Sequence, residues 1–185
     1  KNFVFQSPTK VVFGRGAEKK CGSTLVAAGL THVLVHYGGG SVVRSGLLAS
    51  IEENLQEAGI AYTLLGGVEP NPKVGLVRKG IELAKKTGVD CVLAVGGGSV
   101  IDSAKGIAVG TANNMDPWEM IEKQIMPKNI LPVAVVLTLA AAGSELSNSM
   151  VLTNQENKLK RPLNYDINRP FVAFMNPELT MSVNV

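Results

Sequence analysis

The chain has 185 residues, 45% of them hydrophobic and 18% charged, a globular composition with enough length for one domain of ordinary size. A net charge of +3, with no run of five like charges and only 5% aromatics, argues against a nucleic-acid partner. The longest charge-free apolar run, 130–143, holds Pro132 and is too short to cross a bilayer. The polar N-terminus, interrupted by Pro8, carries no signal-peptide pattern, so the expectation is a cytoplasmic protein without a membrane partner.

FVF (3–5) and KVVF (10–13) flank a Ser-Pro-Thr segment and predict a short hairpin. A helix is expected over 17–28, closed by Gly29, and a strand over 32–37. Gly38, Gly39, Gly40 and Ser41 follow that strand. The spacing of Leu47, Leu48, Ile51, Leu55 and Ala58 predicts one helix over 42–59. Residues 60–65 read as a strand. Asn71-Pro72 opens a helix striped by Val74, Val77, Ile81 and Ala84, with Gly88 as its stop. CVLAV (91–95) predicts a buried strand, Gly96–Gly98 a turn, and 100–110 a helix. Asp116 caps a short helix over 117–123, with Pro117 at its first position. LPVAVVLTL (131–139), SMVLTN (149–154) and FVAFM (171–175) predict strands, with a charged turn after Asn154.

Strand–helix alternation in units of about 30 residues predicts an α/β domain spanning 1–185, with a parallel sheet and flanking helices of Rossmann-like type. Ligands of such sheets sit at the carboxyl ends of the strands, where both glycine turns fall. A glycine turn entering a helix offers unpaired N–H groups and a positive dipole end, which suits a phosphate. Gly97, Gly98 and Ser99 are therefore candidates for a nucleotide pyrophosphate. Asp102, in the first turn of that helix, reads as a carboxylate favoured by the helix dipole. Cys21 and Cys91 read as buried free thiols, and His32 and His36 as packing residues rather than metal ligands. No residue reads as a general base.

GGGSVIDSAKGIA (96–108) resembles the signature of iron-containing alcohol dehydrogenases. TLAAAGSE (138–145) is similar to that family's TLPATGSE turn, and NPELT (176–180) to its DPELT. YGGGSVVRSG (37–46) resembles the NADP-preferring, butanol-dehydrogenase-like branch. The resemblance implies a dehydroquinate-synthase-like N-terminal domain that binds a nicotinamide dinucleotide. The family's second, helical domain holds Fe2+ or Zn2+ through one Asp and three His beyond the NPELT turn. That metal-binding half is thus expected outside these residues, and the chain alone is expected to bind cofactor without turnover.

The resemblance further assigns Thr138 and Leu139 to the adenine side, and sets Asp102 beside the cofactor, where it would accept from a ribose hydroxyl. Ser147 falls in the following turn, Lys160 near the nicotinamide ribose, and Leu179 over the cofactor. Ala140 and Ala142 depart from the family's Pro and Thr, and Ser147 from its common Asn. Relatives that prefer NAD often carry Asp where this chain has Gly38. Gly39 N–H, the Ser41 hydroxyl and Arg44 could then hold a 2′-phosphate, so NADP(H) is preferred and NAD(H) usable.

The implied function is an NAD(P)-dependent oxidoreductase of small alcohols or aldehydes, with a homodimer as one possible assembly. The alternatives are a stand-alone nucleotide-binding module and a zinc-dependent glycerol-dehydrogenase-like enzyme or dehydroquinate-synthase-like lyase.

Overall fold

Apolar runs rich in β-branched residues become the strands of a parallel sheet. The computed structural model describes Asn2 and residues 7–181. Its strands are β1 (Lys10–Phe13), β2 (His32–Tyr37), β3 (Ala61–Leu65), β4 (Cys91–Gly96), β5 (Val133–Leu137), β6 (Ser149–Asn154), β7 (Leu159–Asn164) and β8 (Val172–Met175). Its helices are α1 (Cys21–Ala27), α2 (Ser41–Arg44), α3 (Leu47–Glu57), α4 (Val74–Thr87), α5 (Gly98–Asn113) and α6 (Pro117–Lys123). Six strands pair in the order β1-β8-β5-β4-β2-β3, every neighbour parallel, while β6 and β7 form an antiparallel pair.

Successive side chains of a strand face opposite sides of the sheet, and here both sides are covered. Val33, Val35, Cys91, Leu93, Val95, Ala134 and Val136 pack with α1 and α3 on one face. Leu34, Val92, Ala94, Val133 and Val135 pack with α4, α5 and α6 on the other. This is the expected α/β architecture of helices on both sides of a parallel sheet. The chain moves outward from β2 to β3 and then crosses back to β4, so the strand order reverses between β2 and β4. Such a reversal leaves a crevice at the carboxyl edge.

Most element expectations hold. KVVF pairs in parallel with β8, Lys10 opposite Val172, and its expected hairpin partner at 3–5 lies outside the described residues. The single helix expected over 42–59 is two, α2 and α3, because Gly46 takes a left-handed φ of 77° between them. The glycine-turn helix begins earlier and runs longer than expected, from Gly98 to Asn113. The charged turn after Asn154 continues into β7, whose residues are exposed at five of six positions and so show no alternation. Pro162 within it is tolerated in a two-stranded ribbon, where its missing N–H breaks no central ladder. The Asp116 cap is as expected, its carboxylate accepting from Trp118 N–H at 2.9 Å.

Cys21 and Cys91 are buried and free, and burial raises both thiols, Cys21 to about 12, so neither is a nucleophile at neutral pH. No helix of the described residues is long and apolar enough to cross a membrane.

Candidate functional site

The loops that leave β2, β4, β5 and β8 meet above the carboxyl edge and enclose a cavity of about 670 Å³. After β2 it is lined by Gly38, Ser41 and Arg44. After β4 come Gly96 and Gly97, after β5 Thr138 and Leu139, and after β8 Glu178 and Leu179. Apolar side chains of Val42, Leu47, Val95 and Val100 complete the wall.

The glycine turn is built for close approach. Gly97, in an extended conformation, precedes α5, and Val100 and Ile101 N–H donate to its carbonyl at 3.0 and 3.1 Å. Among the described residues, the N–H groups of Gly98 and Ser99 have no protein acceptor. They are the orphan donors of a helix N-terminus, where the helix dipole adds positive potential. A Cβ on Gly97 would stand 3.1 Å from Leu139 Cβ, and one on Gly98 would stand 3.3 Å from Ala142 Cβ. Side chains at either position would fill the cradle, so this geometry fits a pyrophosphate.

The β2 turn is open by comparison. A Cβ on Gly39 would meet nothing within 4 Å, while Arg44 folds back so that its guanidinium takes the space a Cβ on Gly40 would need. Positive charge therefore stands over the 38–41 turn. Thr138 N–H donates to Gly96 carbonyl at 3.1 Å and ties the wall after β5 to the wall after β4. The exposed Glu178 is paired with Arg15 at 3.1 Å on the opposite rim.

The structure divides the expected site residues into two groups. Gly38, Ser41, Gly97, Thr138, Leu139 and Leu179 line the cavity, with Gly39, Gly98 and Ser99 beside it in the same turns. Asp102, Ser147 and Lys160 lie instead where α5 meets β6 and β7. Asp102 Oδ2 accepts from Val151 N–H at 3.1 Å, and Asp102 Oδ1 is buried without a partner. Burial pushes the Asp102 carboxyl above the usual carboxylate range, opposed by Val151 N–H, the Lys105 ammonium, the Ser144 hydroxyl and the charge of Lys160. Ser147 Oγ accepts from Ser149 N–H at 3.0 Å, and Lys160 Nζ donates to Asn71 Oδ1 at 2.7 Å.

Sequence reasoning missed Lys105. Its side chain is fully buried, and its ammonium donates to the carbonyls of Ser144, Ser147 and Ser149, each at 2.8 Å. The signal was present: Asp102 and Lys105 are the only charged residues of α5, spaced three apart on one face of a helix buried from Val100 to Gly110.

His36 is also wholly buried and links sheet to helix. Its Nδ1 lies 2.8 Å from Leu65 carbonyl, which can only accept, and its Nε2 lies 2.8 Å from Ser103 Oγ. These contacts assign the proton to Nδ1. Among the described residues no three His, Cys, Asp or Glu side chains gather closely enough to hold a metal ion.

The model of the family described as iron-containing alcohol dehydrogenase matches residues 8–177. The chain belongs to this family. Among members of the iron-containing alcohol dehydrogenase family, the probable NADH-dependent butanol dehydrogenase 1 of Bacillus subtilis is 43% identical over 98% of this chain and 47% of its own length. The NADPH-dependent aldehyde reductase YqhD of Escherichia coli is 34% identical, again over 98% of this chain and 47% of its own length. The crystal structure of NADH-dependent butanol dehydrogenase A from Thermotoga maritima superposes with a TM-score of 0.96 at 38% identity, covering 100% of this chain and 46% of that one. The chain thus spans about half the length of the curated relatives it matches.

Proposed function

We propose that this chain binds a nicotinamide dinucleotide, NADP(H) in preference to NAD(H), as the nucleotide half of an oxidoreductase of small alcohols and aldehydes. The observation that carries the reading is the four-loop cavity, with free N–H donors of α5 on one side and Arg44 on the other. Gly98 and Ser99 would hold the pyrophosphate, and Thr138 and Leu139 the adenine side. Asp102, with its unpartnered oxygen, would accept from a ribose hydroxyl, and Lys160 would stand near the nicotinamide ribose, with Leu179 over the cofactor. The bound nicotinamide would supply the hydride acceptor or donor. The chain's own part is to fix that ring's position and exclude water from the cleft with Leu47, Val95, Val100 and Leu179.

Preference for the 2′-phosphate rests on Gly38 and Arg44. No carboxylate faces the ribose from position 38, and the guanidinium offers a bidentate partner to a phosphate. The names of relatives point both ways, one NADH-dependent and one NADPH-dependent, so NAD(H) is expected to bind more weakly rather than not at all. A Cβ on Gly38 would make only ordinary contacts, 3.6 Å to Val68 carbonyl and 3.7 Å to Val100, so Gly38→Asp is expected to fold. It should move the ratio of NADP+ to NAD+ affinities toward NAD+ by about five- to thirtyfold, since repelling one phosphate charge costs about 1–2 kcal/mol. Calorimetric titration with both dinucleotides reads this; an unchanged ratio sinks the 2′-phosphate argument.

Butyraldehyde with NADPH and added Fe2+ or Zn2+ tests the second part. The 185-residue chain should bind the dinucleotide without consuming it, because its described residues gather no metal ligands. Turnover by this chain would contradict that division of labour. A homodimer belongs to the same proposal, with exposed Val11 and Phe13 on β1 as contact candidates, and is read by light scattering.

A further inference from the structure

We infer that Lys105 is a positioning residue for the nucleotide: it clamps the 144–149 turn onto α5 and holds Asp102 ready, as a carboxylate, for a ribose hydroxyl. This rests on the nucleotide reading of the cleft and adds a residue and a regulation to it.

An ammonium has three N–H donors and no acceptor. All three of Lys105 are used, on Ser144, Ser147 and Ser149 carbonyls, each at 2.8 Å, and the side chain has no exposed surface. Those carbonyls come from both ends of one turn, so one side chain sets the shape of that turn against α5. Val151 N–H then reaches Asp102 Oδ2 at 3.1 Å, a fourth tie between the same two segments. The turn runs from the residues beside Gly98 to the start of β6. Its position therefore fixes how far the cradle wall stands from the α5 N-terminus.

The arrangement is costly unless it serves a purpose. A buried lysine without a bidentate anion partner is rare, since the charge leaves water. Burial lowers the Lys105 ammonium to about 8, with Asp102 and Glu145 opposing that shift and Arg169 adding to it. Asp102 is faced by Lys105 from its own helix, by Lys160 from β7, by Ser144 from the turn and by Val151 N–H from β6. Its free Oδ1 is buried and has no protein partner. Replacing Lys105 removes the buried cation next to a buried carboxylate, so the carboxylate takes up a proton at higher pH. A protonated Asp102 is a weaker acceptor for a ribose hydroxyl.

The experiment is calorimetric titration of the protein and of Lys105→Met with NADP+ and NAD+ between pH 5 and pH 9. The ligand's own titration is common to both proteins and cancels in the comparison. For wild type, affinity should weaken toward the acid end, and again toward pH 9, where the Lys105 ammonium gives up its proton and one donor of the clamp. In Lys105→Met the acid midpoint should rise by about one pH unit, and affinity at pH 7 should fall by about tenfold or more. A loss of the same factor at every pH overturns the inference, as does an unchanged affinity. If Lys105→Met does not fold, Lys105→Gln, which keeps two N–H donors without the charge, gives the same readout. If neither folds, the wild-type Lys105 ammonium resonance in 15N-lysine NMR decides: dinucleotide binding should shift it, and an unmoved resonance overturns the inference. Failure of wild type to bind either dinucleotide would instead remove the nucleotide reading itself.

Discussion

At Gly98 the difference between a hydrogen atom and a side chain decides whether the turn has room for a phosphate. A valine there would place its Cβ 3.3 Å from Ala142 Cβ and 3.5 Å from Ser144 Oγ, and its methyl groups over the free N–H of Ser99. We expect Gly98→Val to weaken dinucleotide binding by more than about tenfold, the worth of one charge-assisted hydrogen bond, while the melting temperature moves by only a few degrees. Fluorescence titration with NADPH beside a thermal melt checks it; retained affinity would show that the turn serves packing alone. The turn of Gly97, Gly98 and Ser99 was legible as a strand-to-helix turn because a glycine run between an apolar strand and a helix has few uses. Lys105 was not, because a lysine in a sequence reads by default as a solvated surface residue. Only the apolar character of α5 on all sides says otherwise, and that emerges from the eleven buried positions from Val100 to Gly110. Lys160 and Ser147 were named from a resemblance, and neither lines the cavity: the charge of Lys160 acts on Asp102, and Ser147 carbonyl accepts from Lys105.

At the scale of elements, the helices of the α1–α3 face are held by contacts that tolerate no enlargement. A Cβ on Gly22 would stand 2.6 Å from Asn54 carbonyl and 2.7 Å from Ala58 Cβ, and a backbone atom cannot turn aside. Asn54 finishes the contact, accepting from Gly22 N–H at 2.7 Å and donating to Lys19 carbonyl at 2.9 Å. Gly22→Ala is expected to destabilise the fold by about 1–3 kcal/mol, read by urea unfolding, with nucleotide affinity unchanged under native conditions. A change below about 0.5 kcal/mol would contradict the close-packed reading. The strand and helix periods were legible wherever one face is buried: α4 buries Val74, Val77, Ile81 and Ala84, the stripe the spacing predicts. They were illegible at β7, which is held by pairing with β6 and buries only Leu163, so no alternating pattern exists to be read.

For the whole molecule, the buried imidazole of His36 couples the sheet, α5 and pH. Burial lowers it to about 4, against 6.5 for an exposed imidazole, with the Leu65 carbonyl bond opposing the shift. Below pH 6.5 the unfolded chain takes up a proton that the folded chain refuses, so this contribution is whole above pH 6.5 and is lost as pH falls toward 4. The loss at pH 5 is about 2 kcal/mol. Urea midpoints at pH 7 and pH 5 measure it, and His36→Asn, which keeps a donor toward Leu65 carbonyl, should flatten that difference. Equal midpoints in the wild-type protein would contradict the buried neutral imidazole.

The order of the sheet has a consequence for how such a site can diverge. The four loops that enclose the cleft leave β2, β4, β5 and β8, which are consecutive neighbours in one sheet. Strand spacing then acts as a ruler: three intervals of about 4.8 Å put the outermost loops about 14 Å apart, whatever residues the loops contain. On the nucleotide reading proposed above, exchanging Gly38 or Arg44 would alter which ligand is preferred without altering the span over which it is gripped. Selectivity and reach are thus set by separate parts of the chain, and the first can drift while the second stays fixed.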